Sequence, residues 1–209
     1  MGVSARQERR AQLAAMQEAQ RRAERRRSRV ILAVAVAVGL ALVVPTAIVV
    51  VNAERRQAAT EAAAERPIEG VAEFDDLGAR HTTDTVAYTP TPPVGGDHHP
   101  TWQNCGFYDE PVVEEHAVHS LEHGAVWLTY DPSLPDADVD RLADLTDRHP
   151  YLLVSPYDGL AAPVVASAWG VQLELDGASD ERLEPFLVRY LQGPQTPEPG
   201  AACSGGVGA

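Results

Sequence analysis

The sequence contains no lysine, so all 17 of its basic residues are arginine, and this bias alone indicates no function. Methionine is nearly as scarce: Met1 and Met16 are the two examples, and both precede the apolar segment described below. A methionine-rich Cu(I) site in the rest of the chain is therefore excluded. Histidine is absent from residues 1–80 and from residues 150–209, so all seven histidines fall in the stretch between.

The net charge of −13 is distributed unevenly along the chain. Residues 1–29 contain nine arginines against three glutamates, whereas residues 52–209 contain eight arginines against 27 carboxylates. A domain this acidic repels phosphate groups, which excludes nucleic acid as a partner. The charge suits a metal ion, a cationic partner or simple solubility.

Residues 30–51 form a run of 22 residues without a charge, which as a helix spans a hydrocarbon core of about 30 Å. Because arginines cluster just before this run, we expect a single-pass protein of the cell membrane with a cytoplasmic N-terminus and an extracytoplasmic C-terminal domain. The predicted parts are a basic tail over 1–29 that contacts membrane lipid, a transmembrane helix over 30–51 and a polar stalk over 52–67. A cleaved signal peptide is the alternative, and the length of the run argues against it.

The rest of the sequence predicts one α+β domain over 68–192 and a Pro/Gly-rich tail over 193–209. Helices are expected over 109–124, with Asp109 as cap and Gly124 as terminator, over 136–148 and over 184–192. Strands are expected over 125–130, 151–154, 163–169 and 171–175. Strands mixed with helices without strict alternation favour the α+β class. The segment YTPTPPVGGDHHP, with its four prolines, predicts a long loop.

The two cysteines, Cys105 and Cys203, are expected to form a disulfide, because an oxidised pair is the usual state outside the cytoplasm. Such a bond would attach the C-terminal tail to the loop beside the histidines. The alternative is that Cys105 serves as a thiolate metal ligand or as a redox thiol.

The histidine cluster is the strongest chemical signal in the sequence. His98 and His99 lie in the predicted loop, and His116, His119 and His123 lie on the predicted helix. A spacing of four places His119 and His123 on one helix face, where such a pair can hold a divalent ion. Imidazole ligands without methionine indicate Cu(II) or Zn(II). The alternative is that these histidines form hydrogen bonds in a polar core or lie solvated on the surface.

Residues 119–123 also match the pattern H-x-x-E-H of inverted zinc peptidases. In that hypothesis His119 and His123 bind zinc, and Glu122 activates a water molecule. The pattern requires a further ligand downstream, for which Glu181 and Glu184 are candidates. Because the domain is small for this chemistry, a zinc hydrolase ranks below simple metal binding, and catalysis is not the leading prediction.

Several separated stretches resemble the bacterial membrane-anchored family catalogued as domain of unknown function 3105. They are PPVGGDHHPTWQNCGFYDEPV, HSLEHGAVWLTYDPSLP and VSPYDGLAAPVVASAWG, in that order. The resemblance covers about residues 70–205 and implies that the loop around His98 and Cys105 and the HSLEHG helix belong to the family pattern. It also implies an anchor or signal before the domain.

These observations predict an extracytoplasmic domain that binds copper or zinc through clustered histidines. The second hypothesis is an interaction or assembly module at the membrane, in which Trp102, Tyr108 and Trp127 contribute to a surface for a protein partner that the sequence does not identify. Core packing is the favoured interpretation of Trp127, since it lies in an apolar strand.

Overall fold

The computed structural model describes the backbone of residues 3–208 and every side chain from Leu42 to Gly208. The chain divides into two compact units, Met1–Gln57 and Ala58–Ala209. Helix α1 covers Val3–Ala64. Among the residues that the structure describes, no helix is both long enough and apolar enough to cross a membrane. The side chains of residues 30, 31 and 33–41 lie outside the described residues, so the transmembrane helix over 30–51 stays a prediction.

The second unit contains a six-stranded mixed sheet with the strand order β1-β6-β5-β3-β4-β2. The strands are β1 (Val71–Glu73), β2 (Gly106–Phe107), β3 (Val126–Tyr130), β4 (Leu152–Pro156), β5 (Val164–Ala168) and β6 (Val171–Leu175). The central strand β3 pairs in parallel with β4 and antiparallel with β5. With the helices described next, the sheet confirms the predicted α+β class.

Three helices accompany the sheet: α2 (Glu114–Glu122), α3 (Asp136–Thr146) and α4 (Leu183–Tyr190). Alternate residues of β3 belong to different cores, as the two-residue period of a strand requires. Leu128 packs in the larger core with residues of α3 and α4. Trp127 packs in a smaller core with Ala117 and Leu121 of α2. Helix α2 is thereby fixed against the sheet through its apolar side.

The predicted start of α2 is wrong, whereas the glycine predicted at its end lies where it was expected. The helix begins at Glu114 after the extended residue Val113, and Asp109 does not cap it. Residues 111–113 are not helical, so Asp109 lies four residues before the N-cap position Val113 and outside the reach of a capping residue. At the other end Gly124 follows the helix with φ of 95°, a conformation that favours glycine.

Candidate metal centre

The candidate site lies where α2 meets two irregular segments of the chain, one around His81 and one around His98. His119 and Glu122 are three residues apart on α2 and therefore share a helix face. His81 and His98 are brought together by an isolated parallel β-bridge. In this bridge the Thr82 N–H donates to the His98 carbonyl at 2.7 Å, and the His98 N–H donates to the Arg80 carbonyl at 3.0 Å.

Four potential ligand groups converge at this position. The ligand atoms of His81, His98, His119 and Glu122 all lie within 4.8 Å of one another. Glu122 Oε2 is 3.0 Å from His98 Nε2 and 3.6 Å from His81 Nε2. The rings of His81 and His119 stack with their centroids 4.8 Å apart. Three imidazoles and one carboxylate form a ligand set suited to a divalent transition metal.

Backbone carbonyls fix the orientation of the two buried imidazoles. Nδ1 of His98 lies 2.8 Å from the Gly96 carbonyl oxygen, and Nδ1 of His119 lies 2.6 Å from the His99 carbonyl oxygen. Because a carbonyl oxygen only accepts, each Nδ1 is the donor and carries the hydrogen. The neutral rings then present bare Nε2 atoms to the cluster, which is the arrangement typical of metal-binding histidines.

The cluster is buried except on one side. His98, His119 and Glu122 are almost completely inaccessible, whereas the His81 side chain is 47% exposed. Burial, together with the neighbouring His123, His98 and His81, lowers the pKa of His119 to about 4. His119 is therefore neutral near pH 7, and its Nε2 lone pair is free to bind a cation.

His123 lies beside these four groups without being one of them. Its Nε2 is 2.9 Å from His119 Nε2, and its Nδ1 donates to the Ala202 carbonyl at 2.7 Å. Glu198 Oε2 lies 3.7 Å from the same Nε2. His123 thus connects the cluster to the C-terminal tail.

His99 and His116 form a separate pair, with ring centroids 4.2 Å apart. His116 Nδ1 donates to the Thr101 carbonyl at 2.5 Å, and the Thr101 N–H donates to His99 Nδ1 at 3.0 Å. The second bond leaves the hydrogen of a neutral His99 ring on Nε2. His99 therefore contributes to the cluster through its carbonyl, which holds His119.

Of the predicted ligands, the structure brings His98 and His119 into one cluster, places His123 next to it and leaves His99 and His116 apart. Sequence reasoning missed His81, whose one signal was its membership of the histidine-rich region. The downstream candidate Glu184 lies beside Arg148, at 3.3 Å, and His149, so it has other partners.

The cysteines hold the tail near this site. Cys105 and Cys203 pair at disulfide distance, with Cα atoms 5.3 Å apart. The Cys105 N–H donates to the Cys203 carbonyl, and the Asn104 N–H donates to the Val207 carbonyl, each at 2.8 Å. The otherwise irregular tail is thereby placed alongside the loop around His98 and Cys105.

The three aromatic residues proposed for a partner surface lie in different environments. Trp127 is fully buried and donates from Nε1 to Ser155 Oγ at 2.9 Å, so it belongs to the core. The Trp102 ring lies 5.0 Å from the His123 ring and 5.8 Å from the His119 ring, measured between centroids. Tyr108 packs against the smaller core. Trp102 therefore covers part of the histidine site.

The family model described as "Protein of unknown function (DUF3105)" matches residues 80–205. The match covers more than half of the chain, so the chain belongs to this family. The matched residues include the segments around His81 and His98, helix α2 and most of the tail that lies beside them. No curated protein and no solved structure matches the chain.

Proposed function

We propose that this DUF3105 domain binds one divalent transition-metal ion, copper or zinc, through His81, His98, His119 and Glu122. The observation that carries the proposal is the convergence of their four ligand atoms within 4.8 Å. Lone pairs and a carboxylate that face one another at this range repel, and a shared cation offsets that repulsion.

The ligand types narrow the choice of metal. Imidazole nitrogens together with a carboxylate oxygen suit Zn(II) and Cu(II), and neither thiolate nor thioether belongs to the set. Cu(II) generally binds more tightly than Zn(II) to the same nitrogen and oxygen ligands. A ranking of affinities therefore does not identify the resident metal, whereas elemental analysis of the protein as purified does.

The test is calorimetric titration of the full-length chain, purified in detergent, with Zn(II) and with Cu(II). We expect one ion per chain in the wild type and at least about a hundredfold weaker binding in His119→Ala, since that variant loses a buried ligand. The matched control is His116→Ala, which makes the same change on the same helix outside the four-ligand set. Equal loss of affinity in both variants, or no binding by the wild type, would contradict the proposal.

We also propose that residues 30–51 anchor the domain on the outer side of the cell membrane. The uncharged run and the preceding arginines support this placement, and a cysteine pair at disulfide distance suits an oxidising compartment. The experiment is protease treatment of intact cells that carry a tag at each end of the chain. Digestion of the C-terminal tag with protection of the N-terminal tag is expected, and the reverse pattern would refute the topology.

A further inference from the structure

His81 is both a member of the four-ligand set and its outer cover. Its ring stacks on the His119 ring with centroids 4.8 Å apart and meets the His98 ring edge-on at 5.0 Å. His98 and His119 are buried, whereas the His81 side chain is 47% exposed. Movement of His81 away from the cluster would therefore uncover both buried rings and open a path from solvent to the site.

The segment that carries this exposed ligand is weakly packed. Residues 78–85, which we call the ligand strap, are all exposed or half-buried, and the two hydrophobic cores consist of residues outside the strap. Beyond the ends of the strap, the Phe74 N–H donates to the Gly170 carbonyl at 2.8 Å, and the Val86 N–H donates to Glu115 Oε1 at 3.0 Å. A segment with few buried contacts between two attached ends opens at a lower free energy than the core of a domain.

Asp97 attaches the ligand strap to the segment that carries His98. Its Oδ2 lies 2.5 Å from Arg80 Nη2, and its Oδ1 accepts a hydrogen bond from the Arg80 N–H at 3.1 Å. A Cβ at Gly78 would meet the same Oδ1, so the strap approaches this carboxylate closely. The β-bridge between His81 and His98 adds two main-chain hydrogen bonds. Because Arg80 and Asp97 directly precede the two ligands, their ion pair joins the two ligand-bearing segments next to the site.

From these contacts we infer that the ligand strap is a gate, which opens to let the metal ion enter or leave and which the Arg80–Asp97 ion pair holds closed. The inference rests on the proposed function. An entering ion first meets the three buried ligands, and closure of the strap then adds His81. Because the ion pair lies outside the ligand set, it stabilises the closed strap both with and without the ion. It therefore slows entry and exit alike and leaves the affinity nearly unchanged.

Variants of Asp97 test this role in the full-length chain. Loading is measured by stopped-flow mixing with free Zn(II), and release by mixing the loaded chain with a chelator. Asp97→Asn keeps an oxygen for the Arg80 N–H but loses the ion pair, so loading and release should both become about threefold faster. Asp97→Ala loses both contacts, so both rates should rise by about tenfold. In each variant the dissociation constant should stay within about twofold of the wild-type value.

The direction of the change in loading distinguishes a gate from electrostatic steering. Asp97→Asn removes a negative charge, which through steering alone would slow the arrival of a cation. Asp84→Asn removes the same charge from the ligand strap outside the ion pair, so it is the matched control, and its loading rate should not rise.

Hydrogen exchange of the metal-free chain gives a second measurement of opening. The Thr82 N–H donates to the His98 carbonyl, so it exchanges when the strap opens. The peptide that contains Thr82 should exchange faster in Asp97→Ala than in the wild type, whereas exchange in β3 should be the same in both proteins.

Each other outcome has a definite meaning. Slower or unchanged loading in both Asp97 variants would overturn the gate and leave the four-ligand site standing. Faster release without faster loading would show that Asp97 supports the geometry of the loaded site, which would also overturn the gate. An equal rise in Asp84→Asn would assign the effect to charge and refute the role of the ion pair. Absence of Zn(II) binding by the wild type would instead refute the proposed function.

Discussion

His98 Nε2 lies 3.0 Å from Glu122 Oε2, and both side chains are buried. The other ring nitrogen, Nδ1, is occupied by its bond to the Gly96 carbonyl. A bare imidazole nitrogen and a carboxylate oxygen at this distance repel each other through their lone pairs. A proton or a metal ion shared by the two atoms removes this repulsion. Glu122 supplies the one carboxylate of the four-ligand set, and the predictions begin with it.

Glu122→Gln keeps the shape of the side chain and removes its charge. We expect the affinity for Zn(II) and Cu(II) to fall by about a hundredfold, because the divalent ion loses its one anionic ligand in the four-ligand set. Calorimetric titration measures the change, and circular dichroism verifies that the fold is retained. Glu184→Gln, which neutralises a carboxylate beside Arg148, serves as control and should bind as the wild type does. Unchanged affinity in Glu122→Gln would remove Glu122 from the ligand set.

The metal-free protein should lose stability as the pH falls from about 6.5 towards 4. Burial lowers the pKa of His119 from its ordinary value of 6.5 to about 4, so within this window the unfolded chain binds a proton that the folded chain does not. The contribution of neutral His119 to the free energy of unfolding is fully present above the pKa of the unfolded chain. It is lost progressively as the pH falls below that value, by at most about 3 kcal/mol.

Urea unfolding at several pH values measures this loss, with His119→Gln as the comparison. The variant lacks the titrating group, so the free energy of its unfolding should depend less steeply on pH across the window. Identical pH dependence in the two proteins would show that His119 does not titrate as described.

Replacing both cysteines by serine should destabilise the domain without removing the four-ligand site. Cys105 and Cys203 are separated by 98 residues, and loss of a cross-link that closes so long a loop costs about 2–5 kcal/mol. Thermal unfolding measures the loss, and metal titration should still give one ion per chain. An unchanged melting temperature would mean that the tail is held by its hydrogen bonds alone.

Gly124→Ala should destabilise the domain more than Gly159→Ala. Both glycines have positive φ, 95° and 76°, so an alanine is strained at either position. A Cβ at Gly124 would meet Gln192 and Thr196, whereas a Cβ at Gly159 would meet open space. We expect a difference of about 1–3 kcal/mol in the free energy of unfolding. Equal effects would indicate that the residues around Gly124 move aside freely.

The sequence predicted strands β3 to β6 and helices α3 and α4 to within a few residues, because each is bounded by proline, glycine or a clear change in polarity. Strands β1 and β2 were missed, since Val71–Glu73 and Gly106–Phe107 are too short to show alternation. Both pair with neighbours that are distant in sequence.

The same limit applies to the site. Helical spacing predicted that His119 and His123 share a face, because that depends on local geometry alone. The approach of His81 to His98 depends on one β-bridge between two irregular segments, and no periodic pattern encodes it. The division between His98 and His99 likewise depends on which ring the loop directs to His119 and Glu122 and which it directs to His116.

The most direct test of the four-ligand site is X-ray absorption spectroscopy of the metal-loaded full-length chain, wild type and His81→Ala. His81 is the member of the four-ligand set that the sequence analysis did not predict. The account predicts a shell of nitrogen and oxygen at about 2.0–2.1 Å in the zinc protein, with scattering from three imidazole rings that falls to two in the variant. A sulfur ligand in the wild type, or an unchanged number of imidazoles in His81→Ala, would contradict it.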